Sequence, residues 1–432
     1  MCDDGSVGNH SSRGRKVARR IVVVPCVVVV AVVAVVGLPI WLVCAALVDV
    51  VTGRVGRWST VRLLLALTGY FAMLATGQLI LGAMWCWFGF GRRLDRPAAQ
   101  DGHWRLEGWW LARVAGLMRH LIGLEWTIVG RDTLQPGPVV VLARHVSVLD
   151  AFFSAALLQL EVPLRPRIVL MRELVMEPNI DVVAHRLPHH FVDRTNTAGQ
   201  IDAIGRLATG MGAGDAALIF PEGGLFRPER LTRALARLAT RDPDRFERVR
   251  GLRHLLPVRP GGTLAMLEAA PEADVALVGH VGFERLTDPA SIWRSVPVRA
   301  PVRARVWRIP RRSVPTDRVE LEAWLDQQWQ RVDDWIDAVM CELPERQRGN
   351  AANAGGARAP HESLQSAGAA EEASVPASGG DDASAGFVLE HPAGEVGARP
   401  AAGVDGRQRG VGESGPSEQA GQGGGHAVVG PQ

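Results

Sequence analysis

The chain has 432 residues, of which 47% are hydrophobic and 22% charged, with a net charge of +3 at neutral pH. This length suits one large domain or two ordinary ones, and the nearly balanced charge argues against nucleic acid as a partner. Five cysteines include no CxxC pair, and three lie inside apolar runs. A disulfide framework and a zinc site are therefore both disfavoured, as expected for a reduced protein facing the cytosol.

The N-terminal part combines basic and apolar segments. Residues 1–20 form a basic segment, and uncharged runs follow at 21–48 and 63–91. Each run exceeds the roughly 20 residues that cross a bilayer core, so we predict two hydrophobic membrane segments within 21–91. Flanking arginines place both ends on the cytoplasmic side of the cell membrane. A cleaved signal peptide is disfavoured because its apolar region spans only roughly 7–15 residues. A re-entrant hairpin is the other alternative.

Residues 104–122 have the pattern of an amphipathic helix. Trp110, Val114, Leu117 and Leu121 recur at steps of three and four residues, with arginines between them. We predict a helix packed on its own domain. Several tryptophans also suit the alternative, a helix lying in the bilayer interface.

From residue 125 the hydrophobic pattern becomes that of strands alternating with helices. The predicted strands are "EWTIVG", "VVVLA", "RIVLM", "HFVDR", "AALIF" and "ADVALVGHVGF". This alternation predicts an α/β fold with a sheet covered by helices, preceded by the membrane-anchoring helical hairpin. The Arg-rich stretch 228–250 suits an exposed helix, and 317–340 a strongly amphipathic one. Residues 346–432 are rich in Gly, Ala, Ser and Glu, which predicts a disordered, low-complexity tail.

The stretch "ARHVSVLDAF" carries a histidine and an aspartate directly after a buried strand. His145 lies at the carboxyl end of "VVVLA", where open α/β sheets bind ligands, and Asp150 follows five residues later. A histidine can remove a proton near neutral pH while a carboxylate fixes its tautomer. The chain has no GxSxG motif and Ser147 bears no mark of activation, so the predicted nucleophile is a substrate hydroxyl. Alone, the pair also fits a helix cap or a core contact.

Three later stretches suit a phosphate monoester. "FVDR" ends in Arg194, "LIFPEGG" ends a strand in a Pro-Glu-Gly-Gly turn, and "LLPVRPGG" contains Arg259. Arginine forks and exposed glycine amides bind phosphate oxygens. Each stretch alone also fits ordinary loop chemistry, but their order after the His-Asp pair favours a site.

In these motifs the chain resembles the glycerolipid acyltransferases that make phosphatidic acid from lysophosphatidic acid. That family has an Asn-His-x-x-x-x-Asp block, a strand ending in arginine and a Phe-Pro-Glu-Gly-Thr-Arg turn, in this order. The corresponding stretches here are "RHVSVLD", "HFVDR" and "FPEGGLFRPER". The resemblance covers roughly 125–340 and implies an acyltransferase domain at 104–340 with a mixed sheet covered by helices.

The resemblance implies a 1-acylglycerol-3-phosphate O-acyltransferase. The acyl group would move from acyl-CoA or acyl carrier protein to the free hydroxyl of the lysophospholipid acceptor at the bilayer, with no metal and no other cofactor. His145 would be the catalytic base and Asp150 its orienting partner. The implied substrate-binding residues are Arg194, Glu222, Gly223 and Arg227, the last in place of an arginine missing from the turn.

Four residues depart from the family pattern. Arg144 replaces the asparagine before the histidine, Gly224 and Leu225 replace Thr and Arg in the turn, and Pro188 replaces a glycine. Acylation of another lysophospholipid or a glycolipid is therefore an alternative, as is a catalytically silent membrane scaffold of the same fold. A hydrolase is disfavoured by the missing nucleophile.

Overall fold

The computed structural model describes residues 5–193 and 199–343, with side chains from residue 18 onward. These residues belong to the first of two units, Met1–Phe387, and the second unit, Val388–Gln432, lies wholly outside them. The tail at 346–432 also lies outside the described residues, so its disorder stays a prediction.

A seven-stranded mixed sheet forms the centre of the described structure, with strands in the order β1-β7-β6-β2-β5-β3-β4. Neighbouring strands are parallel except β6 and β7, which are antiparallel. This confirms the predicted mixed α/β sheet. The strands are β1 (Trp126–Val129), β2 (Val139–Ala143), β3 (Arg165–Met171), β4 (His190–Val192), β5 (Asp215–Ile219), β6 (Asp274–Val281) and β7 (Val302–Ile309).

Strand β2 lies inside the sheet and is buried along its whole length. Val141 is opposite Leu218 of β5 on one side and Ala276 of β6 on the other. An uninterrupted apolar run is typical of a strand covered on both faces, which is why "VVVLA" has no alternating pattern. The residues after β2 therefore emerge between the ends of two neighbouring strands.

Twelve α-helices accompany the sheet in the described residues. They are α1 (Gly5–Val36), α2 (Leu38–Val51), α3 (Ser59–Trp87), α4 (Pro97–Leu117), α5 (Val148–Ala156), α6 (Pro178–Ala184), α7 (Gln200–Ala208), α8 (Pro228–Arg241), α9 (Pro243–Val249), α10 (Pro260–Ala269), α11 (Pro289–Ser295) and α12 (Arg318–Glu342). The Arg-rich stretch divides into α8 and α9, because Asp242 caps the second helix and Pro243 cannot continue the first.

The N-terminal apolar runs form a hairpin of three helices. The first run breaks at Gly37, and Pro39 lies in the first turn of α2. Two helical stretches among the described residues, Ala18–Val36 and Ser59–Trp87, are long and apolar enough to cross a membrane. This agrees with the predicted anchoring hairpin and divides its first arm in two.

The hairpin contacts the rest of the protein along the length of α3 and at the start of the apolar part of α1. Helix α4 also packs against the protein, with Leu106, Leu111 and Val114 buried. The polar contacts join Ser59 Oγ to the Val296 carbonyl (2.6 Å), Arg62 to the Leu121 carbonyl (3.2 Å), Gln78 Nε2 to Asn179 Oδ1 (2.6 Å) and Arg20 Nε to Asp181 Oδ2 (2.7 Å).

Candidate active site

The structure brings together the predicted base and its predicted partner. His145 follows the end of β2, and Asp150 lies in the first turn of α5. Nδ1 of His145 is 2.7 Å from Oδ1 of Asp150. Both side chains are buried, His145 with 9% of its side chain exposed and Asp150 with none. The pair is therefore a directed hydrogen bond rather than two unrelated polar residues.

The second oxygen of Asp150 is held by the backbone. Oδ2 accepts the amides of Val146 (2.5 Å) and Ser147 (2.7 Å), which completes a capping box at the start of α5. An ionised carboxylate only accepts hydrogen bonds, so His145 donates to it through Nδ1. Nε2 of the neutral ring is then an acceptor, as a general base requires.

Ser147 does not have the geometry of a nucleophile. Its hydroxyl donates to the Leu286 carbonyl at 2.6 Å, and the same oxygen accepts the Leu149 amide. The side chain is buried. Both interactions stabilise the turn that carries His145, in keeping with the prediction that a substrate hydroxyl attacks.

Glu222 lies behind His145, in the turn after β5. Its Oε1 accepts the backbone amide of His145 at 2.8 Å, and its Oε2 accepts the amide of Leu256 at 2.9 Å. Burial raises the pKa of Glu222 to about 8. Both oxygens thus accept hydrogen bonds from backbone amides, so the geometry assigns Glu222 a positioning role. Its predicted contact with substrate stays a prediction.

The Pro-Glu-Gly-Gly turn surrounds the histidine. The Phe220 ring stacks on the imidazole with centroids 4.4 Å apart, and the Phe226 amide donates to the His145 carbonyl at 2.6 Å. Arg227 donates to the Val146 carbonyl at 3.1 Å. Arg227 therefore lies close to the pair, as predicted for a substrate-binding residue, although its substrate contact is a prediction.

Gly223 is exposed and has a left-handed backbone, with φ +67°. A Cβ atom there would lie 2.8 Å from Cδ of Arg259, so the turn brings the Arg259 side chain against this glycine. The backbone of Arg259 is anchored to the same turn, since its amide donates to the Pro221 carbonyl at 2.8 Å. Arg194, the remaining predicted substrate-binding residue, lies outside the described residues.

Arg144, which replaces the family asparagine, points into the core. Its guanidinium forms an ion pair with Glu284 and donates to the His280 carbonyl at 2.6 Å, and the side chain is 1% exposed. Glu284 in turn accepts the Gly282 amide at 2.6 Å. The charge before His145 is therefore neutralised inside the protein and has a structural role.

His280 was missed by the sequence analysis. It is fully buried in β6, its Nε2 donates to the Arg144 carbonyl at 3.1 Å, and the same atom is 3.7 Å from Oδ2 of Asp150. Burial lowers the pKa of His280, which favours the neutral ring. A polar residue within the apolar run "ADVALVGHVGF" was the available sign that this strand also supports the site.

His145 is among the residues that line an apolar cavity of about 800 Å³. Helices α3, α4, α5 and α6 and strand β3 form its walls, and its volume is typical of small-molecule sites. Its lining near the histidine includes Phe152, Phe220 and Leu225. Leu225, which replaces the family arginine, thus contributes to the apolar wall. The sequence analysis did not predict this cavity.

A buried histidine that bonds to a carboxylate and lines an apolar cavity has the geometry of a general-base site. Residues 125–275 match the family model described as Acyltransferase, which supports the resemblance that the motifs predicted. The 1-acyl-sn-glycerophosphate (LPA) acyltransferase PlsC from Thermotoga maritima is a similar solved structure at 18% identity. The match covers 66% of this chain and 98% of that chain, with a TM-score of 0.40. No curated protein matches the chain at a significant level.

Proposed function

We propose that the protein is a membrane-bound acyltransferase that transfers a fatty acyl group from acyl-CoA or acyl carrier protein to the free hydroxyl of lysophosphatidic acid, giving phosphatidic acid. The observation that carries the proposal is the 2.7 Å bond between Asp150 and His145, a residue that lines the apolar cavity. The intact pair also argues against a silent scaffold.

In the proposed reaction, Nε2 of His145 takes the proton of the acceptor hydroxyl as its oxygen attacks the thioester carbonyl carbon. The new C–O bond forms, and the tetrahedral intermediate then collapses with cleavage of the C–S bond. The departing thiolate takes the proton from the imidazolium, which restores the neutral base. Asp150 stabilises the imidazolium between these steps through its bond to Nδ1.

The cavity suits the acyl chain of the donor or the acceptor. It is apolar, and its lining includes His145 together with residues of α3, α4 and α6. Burying a hydrocarbon chain there gains about 0.8 kcal/mol for each methylene group removed from water. This binding would hold the reacting carbonyl or hydroxyl group near Nε2, which converts the transfer to an effectively intramolecular step.

The turn after β5 supplies the proposed phosphate contacts. Arg227 lies beside the His-Asp pair, where it donates to the Val146 carbonyl, and the Arg259 side chain lies against the exposed Gly223. Arginine suits phosphate because its planar fork can donate two parallel hydrogen bonds. Arg194 is the third proposed phosphate ligand, on the family resemblance alone.

A different acceptor headgroup is the second candidate. Leu225 stands where the family places an arginine, and it lines the apolar cavity instead of adding positive charge. One fewer arginine weakens the case for a phosphate monoester and favours a phosphodiester or a glycolipid acceptor. A panel of acceptors that differ only in the headgroup distinguishes these substrates.

We also propose that the hairpin lies along the catalytic domain in the bilayer rather than crossing it. Arg20 pairs with Asp181, while Arg54 at the other end of the first arm stacks over Trp293 at 3.7 Å. Both ends of the first arm therefore contact the same domain, which favours insertion of the hairpin from one side of the bilayer. Its outer surface exposes large apolar side chains, such as Leu79 at 72% and Trp87 at 85%. Proteolysis of the 52–58 loop from only the opposite side of sealed vesicles would contradict this arrangement.

The catalytic proposal is tested with the full chain in membranes, labelled acyl-CoA or acyl carrier protein thioester, and a panel of lysophospholipids. We expect transfer to lysophosphatidic acid, and its loss in His145→Ala. The control is His120→Ala, which removes an exposed imidazole outside the site. Absence of transfer to every acceptor would overturn the proposal. Transfer that survives His145→Ala would overturn the assigned base.

A further inference from the structure

Helix α8 carries four arginines that the proposed reaction does not use. All four are exposed: Arg230, Arg233, Arg237 and Arg241. Their spacing of three or four residues places them on one side of the helix, over a length of about 16 Å at a rise of about 1.5 Å per residue. We call this set the arginine stripe. Glu229 is the only acidic residue of the helix, so the stripe has a strong local positive charge.

The opposite side of α8 is occupied by the protein itself. Leu231 is buried in the hydrophobic core, and Leu235 and Leu238 pack against that core. These apolar residues hold the helix on its own domain and leave the arginine stripe facing solvent. Within Pro228–Arg241, all of which the structure describes, no large apolar side chain is exposed. A helix that lies in a bilayer interface inserts such side chains, so α8 lacks this means of binding a membrane.

The charge at the centre of the stripe is not neutralised by neighbouring acids. Within residues 5–193 and 199–343, neither Arg233 nor Arg237 forms an ion pair. Nε of Arg233 donates to the Glu229 backbone carbonyl at 3.2 Å, which leaves its charge unpaired. Like charges at this spacing destabilise a helix slightly. The stripe is therefore complementary to an anionic ligand rather than to the surrounding protein.

The stripe begins at the cavity that His145 lines. Arg230 belongs to the same lining, and it donates to the carbonyl of Leu225, another lining residue, at 3.3 Å. The other three arginines lie outside this lining, so the stripe continues from the cavity over the surface of the protein. A ligand bound along the stripe is thus placed where an attached acyl chain can reach the cavity.

The shape of the stripe indicates the kind of ligand. A compact polyanion, such as the nucleotide end of coenzyme A, is held best in a concave site where donors converge. The arginine stripe instead spreads its charge along one convex helix, which fits an extended acidic surface. We infer that α8 docks the acyl donor in the form of a carrier protein with an acidic surface. This inference rests on the proposed acyl transfer and chooses between its two donors.

The test compares palmitoyl-acyl carrier protein, palmitoyl-CoA and palmitoyl-pantetheine as donors, using the full chain in membranes. The double variant Arg233→Glu, Arg237→Glu reverses the charge at the centre of the stripe. We expect its kcat/KM to fall about tenfold or more with the carrier protein and to stay within about twofold with the two small donors. The matched control is Arg299→Glu with Arg312→Glu, which makes the same change of charge at two exposed arginines outside α8. The control should leave kcat/KM unchanged with all three donors.

Docking is measured without turnover by the fluorescence anisotropy of labelled carrier protein, without an acyl chain, added to the full chain in detergent. We expect the affinity to fall as the salt concentration rises, because salt screens exposed charges. The affinity should also fall in the stripe variant and stay unchanged in the control. Retained activity with palmitoyl-pantetheine shows that the variant is folded.

Four outcomes separate the alternatives. An equal loss of kcat/KM with palmitoyl-CoA would overturn the inference, because the stripe would then bind the nucleotide. Unchanged kcat/KM and unchanged affinity with the carrier protein would also overturn it. So would unchanged kinetics together with weaker binding of the variant to phosphatidylglycerol vesicles, which would assign the stripe to the membrane surface. Absence of transfer from every donor, with salt-sensitive carrier binding retained, would instead overturn the proposed catalytic function alone.

Discussion

Replacing Asp150 by asparagine tests the assignment of the base while keeping the shape of the side chain. The carboxylate accepts three N–H groups, from the His145 ring and from the amides of Val146 and Ser147. An asparagine can satisfy only one side with its oxygen. Its NH₂ group must then face either two backbone donors or the single donor of His145.

The structure decides between these two orientations. An NH₂ group turned toward the backbone would meet two N–H donors, whereas one turned toward the histidine would meet a single donor. The additional unpaired donor costs about 1–3 kcal/mol of free energy. The orientation toward His145 is therefore favoured roughly 5- to 150-fold. In that orientation Nδ1 becomes an acceptor and the ring proton moves to Nε2, so His145 can no longer remove a proton.

We expect Asp150→Asn to lower the rate of acyl transfer on the order of 10⁴-fold, as a wrong tautomer does in other His-Asp sites. Initial rates with labelled thioester measure the loss, and ¹⁵N NMR of the imidazole reports which nitrogen carries the proton. The matched control is Asp317→Asn, which changes the same group at the exposed N-cap of α12 and retains capping ability. Activity within tenfold of the unmodified protein, or an unchanged tautomer, would refute the reasoning.

Three further outcomes follow from the surroundings of the pair. Glu284→Leu leaves the Arg144 charge buried without its partner and should lower the free energy of unfolding by about 3–5 kcal/mol in denaturant titrations. The double variant with Arg144→Leu should recover most of this loss, and no recovery would contradict the argument. Gly223→Ala places a Cβ at φ +67° and against Arg259, and should cost about 1–2 kcal/mol; an unchanged melting temperature would count against the strained turn. The Glu222 pKa is about 8 in the fold against an ordinary 4.5, so its stabilising contribution is full below about pH 4.5 and is lost as pH rises to about 8. The melting temperature should therefore fall over this range, and less steeply in Glu222→Gln; equal slopes would exclude Glu222 as the cause.

The parts of the site that sequence reasoning anticipated are local. His145 and Asp150 are five residues apart within one strand-to-helix turn, so their spacing alone brings them within reach. The apolar run of β2 and the amphipathic pattern of α12 are likewise properties of short windows. The mixed sheet followed from the family resemblance and from the alternation of strands and helices.

The parts that escaped prediction depend on distant residues. Strand β7 is interrupted by arginines and is absent from the predicted strands, but Arg308 pairs with Asp274 of the adjacent β6 at 2.7 Å. Arg144 and Glu284 are 140 positions apart, so neither residue type reveals the other. The cavity exists only because α3, α4 and α6 pack together, and no single stretch encodes its shape.

Helix α3 has a practical consequence for any attempt to simplify this protein. The residues Leu63, Leu67, Tyr70, Gly77 and Leu81 all line the cavity, although they belong to the apolar hairpin. A fragment beginning at residue 104 would keep His145 and Asp150 but would lose one side of the chamber beside them. Such a fragment would expose the apolar lining of the cavity to water and would have a strong tendency to aggregate. Purification and crystallisation should therefore retain the hairpin, with detergent or lipid taking the place of the bilayer.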